Sequence, residues 1–433
     1  MSSKSEIHGL GVWVGVLLCC SVGRGQPSGP PEAQRPAVPG PSTESELVQE
    51  IGTFRDWPYA TGNWWGVRDG LAARGVVVEP TVTIDHSVNL MGGVSTHGSD
   101  TRHLLDVPIT IDTQKLLGWG GGTFFVNYQN HNGPDPAAMT GSLFPPSTID
   151  ADGRSQVTSL WYEQAIMDDQ LRVRLGKMDA NDLFAVVVNG QEFINSTLPT
   201  NPTILSLPTY PDTSTGLTVL YAPCEAFYVG GGVFDGAVQE GVLTGGRGAA
   251  TLFGEPADLF IIGESGVRWS LGEDALEGRL AVGGWHHTGT FLRFDGGTES
   301  GVSGFYLIVE QMVWLANPAD ESDGRGVGCF VEYGTTDGRV SVVEHFVGAG
   351  ITWTGPIAGR EADAAGMAVA WSQVTDEPGA GLSESYEAVV EWFYKIQVTS
   401  SIAVKPDLQW VVNPGASGID DALLATIRVE IGF

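Results

Sequence analysis

The chain has 433 residues and carries 22 Lys and Arg against 51 Asp and Glu, a net charge of −29, which turns away nucleic acid and anionic membrane surfaces as partners. The hydrophobic fraction is an ordinary 42%, and beyond residue 76 no apolar run reaches the roughly eighteen residues that a spanning helix needs. Crossing a membrane by helices is excluded; crossing by strands is not.

The first residues read as an export signal over 1–25. Lys4 supplies the positive flank, 10–22 an apolar run too short for a membrane helix, and Gly23 and Gly25 small residues for cleavage. Cys19 and Cys20 lie in this segment, neither preceded by the small residue that lipid attachment prefers. Cys224 and Cys329 remain after cleavage, on separate strands, and no bridge between them is expected. Residues 26–60 form a Pro-rich linker with a short helix over 47–56. A second, amphipathic helix is expected over 61–75: Trp64, Trp65, Val67, Leu71 and Ala72 are apolar, Arg68 and Asp69 stand between them, and Gly75 stops it. Its expected place is against the mouth of the domain that follows.

From residue 76 to 433 the chain alternates. Val78, Pro80, Val82 and Ile84 oppose Glu79, Thr81, Thr83 and Asp85, and 105–112 repeats the code. It returns at 123–131, 156–166, 171–177, 216–222, 226–236, 258–270, 278–287, 303–314, 325–335, 344–354, 366–373, 384–396, 399–411 and 422–433, giving sixteen strands. In the last of these Leu423, Ala425, Ile427, Val429, Ile431 and Phe433 share one face while Thr426, Arg428 and Glu430 share the other. A soluble sandwich would show such alternation too. A transmembrane barrel explains in addition the even strand count, the aromatic last residue, and tight turns such as 167–170 and 223–225 alternating with long loops such as 132–155 and 178–215. Trp119, Trp161, Trp269, Trp285, Trp314, Trp353, Trp392, Tyr394 and Trp410 lie near strand ends, where interfacial girdles are expected. The acidic outer loops could share divalent cations with anionic headgroups; no other cofactor is expected.

If the apolar faces meet lipid, the lumen is lined by Trp161 and Glu163 on one strand and by Arg172 and Arg174 across a tight turn. Glu387 and Glu391 follow, then Lys405, Asp407 and Gln409, and Arg428 and Glu430 on the final strand. Such groups offer donors and acceptors to a hydroxyl-rich solute, and opposed charges favour neutral solutes. An enzyme is the competing class. His286 and His287 are adjacent and so point to opposite strand faces, and no GxSxG, HExxH, phosphate-binding loop or paired CxxC is present. A barrel hydrolase assembled from several strands, and a general or differently selective pore, stay open at this point.

Five stretches in order resemble the carbohydrate-selective porins of the OprB family. They are TGNWWGVRDGLAARGVVVEP (61–80), IDTQKLLGWGGGTFFVNYQNHNG (111–133), LWYEQAIMDDQLRVRLGKMDANDLFA (160–185), GGWHHTGTF (283–291) and ESYEAVVEWFYKIQVTSSIAVKPDLQWVVNPG (384–415). The resemblance covers nearly the whole exported chain. It implies an all-β fold, a sixteen-stranded antiparallel barrel in the bacterial outer membrane with a short N-terminal helical segment. It further implies a narrow water-filled pore for monosaccharides such as glucose, as a monomer or homotrimer. Inward-folded outer loops narrow such pores, and 179–210 is the segment expected to do so here. The chain departs from the family pattern in its Pro-rich linker and in Glu310–Gln311, where Asp–Gln is commoner; these bear on sugar preference rather than on fold.

Overall fold

The computed structural model describes residues 54–433 except 135, 249, 251–254 and 321. The expected export signal and the 26–53 part of the linker lie outside the described residues. Among the described residues the strands are β1 (Val76–Val78), β2 (Thr81–Met91), β3 (Ser99–Asp112), β4 (Gly122–Asn132), β5 (Arg154–Ile166), β6 (Leu171–Met178), β7 (Ser214–Cys224), β8 (Phe227–Asp235) and β9 (Leu259–Leu271). They continue with β10 (Leu276–Leu292), β11 (Thr298–Leu315), β12 (Gly326–Thr335), β13 (Val343–Thr354), β14 (Ala364–Val374), β15 (Tyr386–Thr399), β16 (Ile402–Val412) and β17 (Ala422–Gly432). From β2 onward each pairs antiparallel with the next, and β17 returns to β2 with Arg428 opposite Asp85 and Ile427 opposite His86. The result is a closed sixteen-stranded barrel with no free edge. β1 extends the line of β2 along β3, with Val76 opposite Ile111; Pro80, which has no N–H for a ladder, interrupts the two.

All sixteen alternating segments form barrel strands, and the alternation sorts inside from outside. On β17, Ile427 is 46% exposed on the outer face while Thr426 and Arg428 are buried. Short connections such as 167–170, 225–226 and 400–401 lie at one rim, with Phe433, and long ones at the other, which makes the first rim periplasmic. Trp119, Trp314, Trp353, Trp392 and Trp410 are exposed as a girdle requires, but Trp161 and Trp285 are only 2% and 3% exposed. Those two belong to the inner face, which position near a strand end does not reveal. Cys224 and Cys329 are both free thiols.

The N-terminal helix is shorter than the periodicity predicts. Only α1 (Val67–Ala72) is α-helical, because Trp64, Trp65 and Gly66 take φ of 48°, 56° and 88°, left-handed values that an α-helix of L-residues cannot continue. Of 47–56, a single 3-10 turn over Phe54–Asp56 is described. The segment lies across the seam where β17 meets β2. Arg68 donates from Nη1 to the Val78 carbonyl and from Nη2 to the Phe433 carbonyl, each at 2.7 Å. Its guanidinium lies 3.6 Å from the Tyr59 ring centroid and 4.1 Å from that of Trp64. The Phe433 amide completes the seam by donating to the Pro80 carbonyl at 2.8 Å.

Candidate functional site

The segment 179–213 between β6 and β7 folds into the lumen instead of standing above the rim. Its backbone there has no strand to pair with, and buried peptide N–H groups need acceptors. The barrel wall provides them as carboxylates. Glu264 of β9 accepts from the Ala185 amide at 2.8 Å, Glu310 of β11 from the Asn189 amide at 2.7 Å, and Glu391 of β15 from the amides of Ile194 and Asn195 at 2.5 and 3.0 Å. Arg279 of β10 ties Glu310 at 2.5 Å and donates to the Val186 carbonyl. Two Asn-x-Thr turns add rigidity. The amide oxygens of Asn195 and Asn201 each accept from the N–H and hydroxyl of the Thr two residues on, and their Nδ2 groups donate to Gln409 at 3.0 Å and Glu332 at 3.2 Å. Small wall residues make room for the segment: a Cβ at Gly366 would meet the Phe193 ring at 3.0 Å, and one at Gly334 the Thr203 hydroxyl at 2.2 Å.

Two further segments fold inward. Around 142–150, Ser147 donates to Asp85 at 2.6 Å, and Arg428 grips Asp85 with two bonds of 2.8 and 2.9 Å. Arg102 is paired to Asp150 and lies 3.6 Å from Asp85, and Glu387 accepts from the amides of Leu143 and Gly415 at 2.8 and 2.6 Å. The stretch around Thr244–Gly246 is held by Lys177, which donates to the Gly245 carbonyl, and by Asp212, which accepts from the Gly245 amide at 3.1 Å.

The four residues expected to meet across the β5–β6 turn do come together. Arg174 bonds Glu163 at 2.8–2.9 Å through Nε and Nη2, and Arg172 stands 3.6 Å from the same carboxylate. Arg174 also covers one face of Trp161 at 3.9 Å while Phe125 stacks on the indole at 5.0 Å, so that ring has no face left for a sugar. Of the eleven residues expected to line water, nine are buried on the inner face: Trp161, Glu163, Arg174, Glu387, Glu391, Lys405, Asp407, Gln409 and Arg428. The side chains of Arg172 and Glu430 are 18% and 32% exposed. The expected lining is thus largely covered from within, while Glu163 and Arg172 still border the cavity described below. Alternation tells on which side of the wall a side chain lies, not what the chain later folds over it. The same parity would have found Asp85, Glu264, Arg279, Glu310 and Lys395; nothing local marks Glu192 or Asn189, which reach the wall only through the path of their loop.

Beneath the inward segments the periplasmic half of the lumen is a cavity of about 1510 Å³, lined among others by Thr110, Glu163, Arg172, Asn189, Arg268, Arg279 and Glu310. Its wall therefore carries both donors and acceptors. Where the inward segment leaves β6, Asp179 is half-buried, and burial followed by the charge of Asp182 pushes its carboxyl up to about 7. His286 and His287 point apart, to Ser303 outside at 2.9 Å and to the Gly236 carbonyl inside at 2.9 Å. Among the described residues no three His, Cys, Asp or Glu side chains are grouped to hold a metal ion, so the divalent cations expected at the outer loops have no ligand set of that size there.

A closed sixteen-stranded cylinder, apolar outside and polar within, with loops folded into its bore, is an outer-membrane porin. The chain belongs to the OprB family of carbohydrate-selective porins, whose family model matches residues 96–433; it is a channel of the bacterial outer membrane and not an enzyme. Porin B of Pseudomonas aeruginosa is 22% identical over 421 residues, covering 86% of this chain and 90% of that protein. The high-pH structure of Pseudomonas putida OprB matches with a TM-score of 0.78 at 19% identity, over 88% of this chain and all of that one. The low-pH structure of the same protein matches with a TM-score of 0.57 at 19% identity, over 88% and 99%. At these identities the two structures speak to the fold.

Proposed function

We propose that the lumen passes neutral monosaccharides, glucose among them, by passive diffusion. The observation that carries this is the pairing of opposite charges around the cavity, Arg172 with Glu163 and Arg279 with Glu310. A sugar leaving water must exchange its hydrogen bonds for others, and a wall of matched donors and acceptors accepts it without a net field that favours either ion. Binding at such a wall is weak, as flux demands. Arg172, Glu163 and Glu430 meet the solute directly, whereas Glu387, Glu391, Lys405, Gln409 and Arg428 hold the loops that shape the passage. Each barrel closes within one chain, so transport needs no second copy; we take the monomer as the working state, a homotrimer being the alternative, with outer-membrane lipid around the apolar face. Liposome swelling tests the reading. Faster entry of monosaccharides than of amino acids of comparable bulk supports it, equal entry of both marks a general pore, and no swelling at all removes it.

A further inference from the structure

Four side chains form a closed ion network on the lumen wall, two of them outside the lining expected from sequence. Glu192 of the inward segment places Oε1 2.8 Å from Lys395 Nζ on β15 and Oε2 2.7 Å from Lys405 Nζ on β16. Lys405 also donates to the Glu192 carbonyl at 2.8 Å. Glu430 of β17 closes the ring at 3.6 Å from Lys395 and 3.7 Å from Lys405. Lys405 is 2% exposed, whereas Lys395, Glu430 and Glu192 are 20%, 32% and 33% exposed, so the network presents one cation and two anions to water around a buried cation. Its sum is zero. Burial alone would raise the Glu192 carboxyl, yet the ammonium groups of Lys405 and then Lys395 hold it down to about 2. Three residues upstream, Asn189 borders the cavity, so the anchor on Glu192 also fixes the edge of the passage.

We propose that Glu192 is a selectivity-determining residue of this pore: its carboxylate fixes the inner edge of the inward segment and cancels the charge of the two lysines, which keeps the passage narrow and indifferent to ion sign. The proposal rests on the porin reading. A Gln at 192 retains the shape but leaves two lysines against one Glu430. An Asp retains the charge on a shorter stem.

The test uses the full-length protein in planar bilayers, with single-channel conductance and the reversal potential across a KCl gradient as readouts, for the parent, E192Q, E192D, K395Q and E192Q/K395Q. Folding is checked by heat-modifiable migration. E192Q is expected to shift the permeability ratio toward chloride by roughly two-fold and to raise conductance, since an uncompensated charge at a narrow point biases ion entry. K395Q shifts the ratio toward potassium. E192D stays near the parent, and E192Q/K395Q restores the parent ratio while conductance remains raised, a split that a purely structural role would not produce. A parent-like ratio and conductance in E192Q overturns the proposal while the porin reading stands, and should E192Q not fold, an unmoved ratio in K395Q overturns it equally. A parent that conducts nothing overturns both.

Discussion

The two halves of the lumen are built on opposite principles. Toward the long-loop rim the bore is packed like a protein core: Phe184, Phe193, Phe234 and Phe260 are fully buried there, and wall carboxylates are spent on loop amides. Toward the periplasmic rim the same wall encloses a cavity of about 1510 Å³ with Arg172, Arg268 and Thr110 facing it. Both halves show the same alternation of polar and apolar residues along their strands. The difference lies in what is laid over the inner face, and it teaches that a polar residue inside a barrel is as often a loop anchor as a solute contact. A buried anchor is expensive to lose because its partners are left unsatisfied.

That contrast predicts a graded series. R428M leaves Asp85 buried with Arg102 at 3.6 Å as its remaining ion partner; breaking a buried pair costs about 3–5 kcal/mol, so the unfolding temperature in detergent should fall markedly. An unchanged melting curve would show that the packed half does not depend on this anchor. E391Q keeps one acceptor oxygen and turns an amide NH2 toward either the Ile194 or the Asn195 donor, at about 1–3 kcal/mol for the unsatisfied group. The barrel should assemble, with faster amide hydrogen exchange in 185–204 and higher conductance; protection equal to the parent's would count against the anchoring role. In the open half, Arg172→Ala should change monosaccharide flux a few-fold while leaving stability within about 0.5 kcal/mol. Arg174→Ala, by contrast, leaves Glu163 with Arg172 at 3.6 Å in place of its close partner and uncovers Trp161, and so should lower stability as well. Swelling rates for Arg172→Ala equal to the parent's across several sugars would remove it as a solute contact.

The smallest expected effect is one of pH. The Glu192 carboxyl is held below its ordinary value, so the clamp is fully present above the ordinary carboxylate pKa and is lost only as pH falls through about 2. The conductance difference between parent and E192Q should therefore stay level from pH 7 down to pH 4. A difference that vanishes near pH 5 would mean that the two lysines do not hold Glu192 ionised.

Much of this architecture was legible in the chain itself. Each of the sixteen strands shows in its two-residue period, because every barrel residue faces either lipid or lumen. The cluster of Glu163, Arg172 and Arg174 was legible too, since a four-residue turn fixes which residues oppose. What stayed hidden depended on long range. That Ile194 and Asn195 would reach Glu391, or Ser147 reach Asp85, is decided by how 179–213 and 142–150 thread the bore, and no local pattern encodes it. The shortened N-terminal helix had another cause: Trp64 and Trp65 suit an amphipathic pattern but sit in left-handed conformations beside Gly66, which periodicity does not register.

The Arg68 contact with the Phe433 carbonyl joins residues 365 positions apart in sequence. The N-terminal segment is synthesised before any strand, whereas its acceptor exists only once the closing strand lies beside β2. Completion of this latch thus reports that the cylinder has zipped shut, and during biogenesis an incompletely zipped intermediate would leave an arginine, flanked by Tyr59 and Trp64, still waiting at the periplasmic side.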